Sequence, residues 1–341
     1  MRKILLIFVL FFCLLFNTSA NIRNQDTSYI VLESSTLRVL EGKNINKQML
    51  VASTAKILTA ITVIENYSLD EDVVITSNDV NQVGSKVYLK AGERLKRKDL
   101  LYALMLRSAN DAASALSFNN CKEFILLMNE TAKKIGMRDS VFENASGLDE
   151  KEYNISTAYD MAILSAYASK NKIFNGIAST HIYSCKSDVS SYNWVNKHKL
   201  VKNNDDFIWG KTGFTKSSGR ILVSNYTKNN MNLIVVTINE SNDWNYHKKL
   251  VDQLDNYSFV SVFKKGIYDS RLDVSYYIYI KEDIVIPISE KERENINLKF
   301  KLLENNAYVD IYLNGKLICK KYLEVYSKND FDIDLVIDLF K

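Results

Sequence analysis

Val51-Ala52-Ser53-Thr54-Ala55-Lys56-Ile57-Leu58-Thr59-Ala60-Ile61-Thr62-Val63-Ile64 is the stretch from which the rest of the chain can be read. Ile57, Ile61 and Ile64 recur at helical spacing as far as Tyr67, with no glycine or proline to stop them, which predicts a buried helix of about four turns from Ser53. Ser53 and Lys56 stand three residues apart at its start, so a hydroxyl and an ammonium project to one side, about one turn apart. A serine is inert at its free pKa. A neighbouring lysine can take its proton if burial and nearby positive charge hold that lysine neutral, and amide N–H groups at the helix start can stabilise a developing oxyanion. The spacing alone is not selective, because Ser261-Val262-Phe263-Lys264 repeats it with none of this context.

Outward from this helix the period changes. Tyr29–Leu32 and Leu37–Leu40 flank Ser34-Ser35-Thr36 and read as a β-hairpin. Leu100, Leu101, Leu104 and Met105 mark a helix that is interrupted at Arg107-Ser108-Ala109-Asn110 and resumes at 111–116. Further helices are expected at about Lys122–Ile135 and Ser156–Ser169, the second capped by Ser156 or Thr157. Phe207–Thr212, Ile221–Asn225 and Leu233–Ile238 read as strands and Asn245–Leu254 as a helix. An early hairpin, a helical middle and late antiparallel strands predict one sheet assembled from both ends of the domain, with helices packed on it. After about Lys264 the texture becomes alternating strands, with Asn314-Gly315 as a hairpin turn, which predicts a small all-β second domain acting as spacer or docking module.

Two further groups carry chemistry. Ser108-Ala109-Asn110 has repeats of its spacing in Ser117-Phe118-Asn119 and Ser191-Tyr192-Asn193, but it breaks two helical segments, so its side chains can project into a cleft. Lys211-Thr212-Gly213 follows apolar Phe207-Ile208-Trp209 on an expected strand. There glycine lets a substrate backbone approach, and the lysine and threonine can bind a carboxylate.

Composition bounds the remainder. The 341 residues carry 44 Lys+Arg against 40 Asp+Glu, a net charge of +4, which excludes a nucleic-acid-binding polycation and an acidic tail protein. Hydrophobic residues at 47% and charged residues at 25% exclude a disordered, collagen-like or multi-span membrane chain. One proline and 11 glycines, where average usage gives about 17 and about 24, leave most turns to Asn, Asp and Ser. Arg2 and Lys3 precede an uncharged apolar run, Ile4–Phe16, and Thr18-Ser19-Ala20 follows, so residues 1–20 read as a secretory signal peptide cleaved near Ala20. About 13 apolar residues span only ~20 Å of a ~30 Å hydrocarbon core, which argues against a retained anchor. Cys121, Cys185 and Cys319 are widely spread, supporting neither a disulfide framework nor a zinc site.

Ser-x-x-Lys, a second serine triplet and Lys-Thr-Gly in this order form the signature of penicillin-binding proteins and class A β-lactamases. The likeness extends to Ala52–Ala60, Leu104–Ala113, Asn144-Ala145-Ser146-Gly147-Leu148, Ser156–Ala162 and Gly210–Thr215. Across about Tyr29 to Phe259 the chain resembles the low-molecular-mass penicillin-binding proteins that act as serine-type D-alanyl-D-alanine carboxypeptidases. The resemblance implies a β-lactamase/transpeptidase-like α/β (α+β) fold: an antiparallel sheet flanked by helices, followed by a small all-β sandwich. The divisions expected are a signal peptide at 1–20, the catalytic domain at 21–262 and the sandwich at 263–341. It further implies that Ser53 attacks the carbonyl between the two terminal D-alanines of a peptidoglycan stem peptide, with Lys56 taking its proton. Ser108 would relay a proton to the leaving amine and Asn110 would hold the substrate amide. Lys211 and Thr212 would bind the terminal carboxylate beside Gly213, and the N–H groups of Ser53 and Phe214 would form the oxyanion hole. No metal or organic cofactor is required; stem peptides and β-lactams are the implied partners, nucleic acid is not one, and the location implied is extracytoplasmic.

Three departures from the family pattern stand out: no proline before the nucleophile segment, Asn154 where a polar aromatic or histidine is common, and Ile221 where a cysteine is common. No Glu-x-x-Leu-Asn run lies between Ser108 and Lys211, which disfavours the alternative of a serine β-lactamase. The other alternative, a non-catalytic peptidoglycan-binding or penicillin-sensing protein, is disfavoured by retention of every group for chemistry. Phe331–Leu339 alternates with a period of two, so it reads as a strand rather than the amphipathic membrane helix that often ends this family; peripheral membrane contact stays open.

Overall fold

The computed structural model describes residues 23–202, 206–269, 275–303 and 306–327. The expected signal peptide and the strand expected at Phe331–Leu339 lie outside the described residues.

The N-terminal hairpin pairs β1 (Ser28–Glu33) with β2 (Arg38–Lys43). Glu33 closes its turn, its carboxylate accepting from the backbone N–H groups of Ser35 at 3.0 Å and Thr36 at 2.8 Å. Three late strands, β3 (Phe207–Thr215), β4 (Gly219–Lys228) and β5 (Met231–Ile238), complete an antiparallel sheet in the order β2-β1-β5-β4-β3. The two chain ends meet where β1 pairs with β5, Ile30 opposite Val236. Both faces of the sheet are covered: Ile30 and Leu32 enter the large core, whereas Val31, Leu233 and Val235 enter a second cluster. Alternate residues of a strand point to opposite faces, so such strands read as continuous apolar runs rather than alternation.

The large core is filled by α1 (Lys56–Asn66), α2 (Arg97–Arg107), α3 (Asn110–Leu116), α4 (Lys122–Ile135), α5 (Ala158–Ala168) and α6 (Lys172–Ala178). On the opposite face α7 (Asp243–Asp252) packs Leu250 and Val251 into the second cluster. Thr157 caps α5 by accepting from Asp160 N–H at 3.0 Å. One expectation is corrected. The helix expected to start at Ser53 opens instead with a 3-10 turn, Ala52–Ala55, so Ser53 and Lys56 lie on either side of a change of pitch.

Beyond α7 the chain forms β6 (Tyr257–Phe263), β7 (Gly266–Asp269), β8 (Tyr276–Ile280), β9 (Ile284–Ser289), β10 (Ile296–Leu303), β11 (Asn306–Leu313) and β12 (Lys316–Ser327). A five-stranded sheet, β7-β8-β12-β11-β10, and the pair β6-β9 share one apolar core that includes Ile278, Ile286, Val309 and Ile311. At the β11-β12 turn Asn314 and Gly315 have φ of 50° and 77°, the sign a two-residue hairpin requires at both positions. Strand β6 was not expected from the sequence. Its Tyr257 and Phe259 pack on the second cluster under the main sheet, while Val260, Val262 and Phe263 pack in the tail core, so it serves two cores at once and shows no single hydrophobic face. Arg38 of β2, almost wholly buried, joins the two units through an ion pair with Glu292 at 2.8 Å.

Candidate active site

The cleft forms where α1, the α2-α3 junction and β3 converge. Ala52, with φ of 45°, kinks the chain into the 3-10 turn that presents Ser53. The Ser53 Oγ donates weakly to the Ser146 carbonyl at 3.4 Å. One turn on, Lys56 is fully buried, with Nζ 3.2 Å from Ser53 Oγ, 2.7 Å from Asn110 Oδ1 and in contact with the Ser146 carbonyl oxygen. Burial holds the Lys56 amine well below its ordinary pKa, and the positive charges of Lys211 and Lys197 lower it further. A neutral amine has two N–H donors and one lone pair. With both donors of the neutral form turned to the carbonyl oxygens of Asn110 and Ser146, the lone pair is free to take the Ser53 proton once that hydroxyl rotates away from the Ser146 carbonyl.

Asn110 is held by its own donations, from Nδ2 to the Val83 carbonyl at 2.6 Å and from its backbone N–H to the Ser85 carbonyl at 2.7 Å. Ser108 ends α2 in a left-handed conformation, φ 58° and ψ 35°, which turns its hydroxyl out of the helix and toward β3. There it accepts from Lys211 Nζ at 2.8 Å, and the same ammonium donates to the Thr212 carbonyl at 2.7 Å. Lys211 is buried and its pKa is brought down to about 7, by burial first and then by the charge of Lys197. Gly213 lets the strand lie against the nucleophile turn: a Cβ there would stand 3.3 Å from the Ser53 nitrogen. Phe214 follows, two-thirds exposed at the cleft rim.

The residues singled out from the sequence thus gather in two clusters, Ser53-Lys56-Asn110 and Ser108-Lys211, on facing walls of one cleft. Among the described residues no hydrogen bond runs between Ser108 and either Ser53 or Lys56. The structure adds groups that the sequence did not reveal. Lys197, in the connection leading to β3, donates to Ser85 Oγ at 3.1 Å and weighs electrostatically on both cleft lysines. The loop Asn144–Leu148 supplies the Ser146 carbonyl, and Gly147 is indispensable within it, since its φ is 80° and a Cβ would fall 2.0 Å from the Ala52 carbonyl oxygen. Asn154, first noted only as a departure, is a strut of this loop. Its Oδ1 accepts from the N–H groups of Glu143 at 2.8 Å and Asn144 at 3.2 Å, and its Nδ2 donates to the Asn144 carbonyl at 2.8 Å. Lone Asn and Lys residues outside a spaced motif carry no signal that could have marked these roles.

Comparisons with known proteins agree with this geometry. The family described as D-alanyl-D-alanine carboxypeptidase (peptidase S11) matches residues 16–242. The D-alanyl-D-alanine carboxypeptidase DacF of Bacillus subtilis is 27% identical over 246 residues, which is 70% of this chain and 63% of that protein. DacD of Salmonella typhimurium is 30% identical over 230 residues, 62% of this chain and 57% of its own length. The chain therefore spans roughly three-fifths of these curated relatives. Among solved structures, a D-alanyl-D-alanine carboxypeptidase of Mycobacterium tuberculosis superposes with a TM-score of 0.63 at 26% identity, over 66% of this chain and 89% of that one. DacD of Francisella tularensis, at 21% identity, shares the fold over 92% of this chain and 96% of its own, with a TM-score of 0.69. The family match covers the five-stranded main sheet, helices α1 to α6 and both walls of the cleft, and the chain belongs to the D-alanyl-D-alanine carboxypeptidase family of serine peptidases.

Proposed function

We propose that this protein is an exported serine D-alanyl-D-alanine carboxypeptidase that removes the terminal D-alanine from peptidoglycan stem peptides. The observation that carries the reading is the buried Lys56 amine, depressed in pKa and 3.2 Å from Ser53 Oγ, with its other partners already in place. Ser53 Oγ attacks the carbonyl carbon between the two D-alanines while its proton passes to Lys56 Nζ. The oxyanion lies against the N–H groups of Ser53 and Phe214. Collapse of the tetrahedral intermediate breaks the C–N bond, Ser108 relays a proton to the leaving nitrogen, and free D-alanine departs. Water then attacks the Ser53 ester and restores the hydroxyl. Asn110 holds the substrate amide, and Lys211 with Thr212 and Gly213 receives the terminal carboxylate. A β-lactam presents a carbonyl and a carboxylate to the same groups, so its ring opens on Ser53 and leaves a stable ester.

The family is in general periplasmic or cell-wall-associated, acts on peptidoglycan peptides and binds β-lactams. For this chain we place the export signal at 1–20, the hydrolase from residue 21 to the seam at Tyr257–Phe263, and a β module beyond it that serves as spacer or docking unit. Strand β6, on which the expected division at 262 falls, contributes to both cores. Intact-protein mass spectrometry after penicillin, with peptide mapping, tests the mechanism: the adduct is expected on Ser53, and a folded, monodisperse protein that forms none and releases no D-alanine from a stem-peptide mimic would overturn it.

A further inference from the structure

Among the described residues, strand β3 carries Lys211 at the edge of the sheet, hydrogen-bonded to β4 on one side only. An edge strand is held less firmly than a central one, yet Lys211 must meet Ser108 across the cleft at 2.8 Å. The support comes from underneath. Gly210 and Lys211 are adjacent in a strand and turn to opposite faces, so the face beneath Lys211 is the one Gly210 presents. His198 occupies it: a Cβ on Gly210 would lie 2.2 Å from His198 Nε2, contact closer than any other residue type would allow. The imidazole stacks on Phe207 at 4.4 Å between centroids and meets Trp244 of α7 edge-on at 4.7 Å.

A polar chain continues from this ring along the face of the sheet that α7 covers. Ser224, the register partner of Gly210, places its Oγ 3.5 Å from His198 Nε2 and 3.0 Å from His247 Nδ1, and His247 Nε2 is 2.9 Å from Thr237 Oγ1. Both histidines are buried and both are kept neutral by burial, His247 down to about 3, with the charge of Lys211 acting on His198 as well. The segment bearing His198 is also tied to the other wall: Lys197 N–H donates to the Leu106 carbonyl at 3.0 Å, two residues before Ser108, and Arg107 donates to the Val195 carbonyl at 2.9 Å. One short stretch therefore touches the end of α2 with its backbone and the underside of β3 with a ring.

We propose that His198 is a positioning residue for Lys211: its ring, wedged under Gly210 and tied through Ser224 to His247, holds the edge strand where Lys211 reaches Ser108. The inference rests on the carboxypeptidase reading above. His198 does not touch substrate and acts only through β3.

The test compares His198→Ala and His198→Gln, each alone and in a Lys211→Ala background, by penicillin acylation rate, by kcat and KM for D-alanine release, and by the basic limb of the kcat/KM profile. His198→Ala is expected to cost about tenfold in kcat/KM, chiefly through KM, because a small misplacement of a binding group suffices for such a loss. The basic limb should move to higher pH as water enters beneath Lys211, and the loss should vanish in the Lys211→Ala background. His198→Gln, which keeps a neutral polar group near the same place, should recover most of the rate. A variant that melts earlier but keeps wild-type KM and basic limb overturns the inference, as does an equal loss in both backgrounds. If His198→Ala does not fold, Ser224→Ala replaces it with the same two outcomes. Wild type lacking both D-alanine release and a penicillin adduct would instead refute the carboxypeptidase reading.

Discussion

Lys56 and Lys211 face each other across one cleft, both buried and both depressed in pKa, yet their surroundings suit them to opposite tasks. Lys56 is enclosed by fixed carbonyl oxygens on α3 and the 144–148 loop, in a wall built of helix and backbone, where burial disfavours the charged amine. Lys211 lies on an edge strand, its pKa about 7, so a modest stimulus decides whether it carries charge. In the proposed reaction an incoming carboxylate supplies that stimulus, and the charge then costs less because it is paired. Similar burial thus suits one lysine to the proposed base role and the other to the proposed role of anion receptor, the difference lying in what fills the remaining hydrogen-bonding directions.

The largest effect should come from breaking the first wall. Lys56→Met is expected to lower acylation by penicillin roughly 10²–10⁴-fold, the span ascribed to a positioned general base, with little loss of thermal stability because an apolar chain replaces a buried amine. A burst of acylation close to wild type, measured with a fluorescent penicillin, would remove Lys56 from the base role. Gly147→Ala attacks the same wall through its backbone. With φ at 80° and a carbonyl oxygen 2.0 Å from the added methyl, it should cost about 3–4 kcal/mol in chemical denaturation, and it should displace Ser53 as well.

The second wall should respond in binding. Lys211→Met is expected to raise KM for a carboxylate-terminated substrate roughly 10–100-fold, in line with the loss of a hydrogen bond to a charged group, while kcat changes less. In wild type, kcat/KM should decline above about pH 7 as the free enzyme loses the Lys211 proton, whereas kcat, which reports the bound state, should hold to higher pH. Stability carries the same signature. Unfolded Lys211 keeps its proton up to its ordinary 10.5 but folded Lys211 releases it near 7, so the unfolded state binds more protons between these values and wild-type stability rises with pH across them. Melting curves of Lys211→Met against wild type should therefore differ most near pH 6 and converge toward pH 10; a constant difference would contradict the assigned titration.

The smallest effect is expected far from either lysine. Arg38→Ala breaks the ion pair to Glu292 that joins β2 to the tail unit and should cost about 1–2 kcal/mol while leaving acylation unchanged. A change in penicillin reactivity would mean that the β module communicates with the cleft.

Much of this architecture was legible before any coordinates. The helix from Lys122 to Ile135, the break at Ser108 and the Asn314-Gly315 turn each carry a local cause: a 3.6-residue period, a polar interruption between apolar segments, a pair of residues that accept positive φ. The missed strand β6 had no such cause, since its residues are divided between two cores and period-two alternation reports only one. Lys197 and Asn154 were overlooked as site elements for a related reason. Each lies in irregular chain, and its role exists only because distant segments are folded around it.

What the sequence determined by itself was the set of candidate groups and their order along the chain, because the proposed nucleophile, base and carboxylate receptor are particular residue types at particular local spacings. What only the tertiary structure decided was the protonation state of each lysine and the distance between the two walls. Those depend on desolvation and on neighbours such as Lys197 and Ser146, which lie between 14 and 141 residues away from the lysines they govern along the chain and meet them only when the sheet closes from both ends.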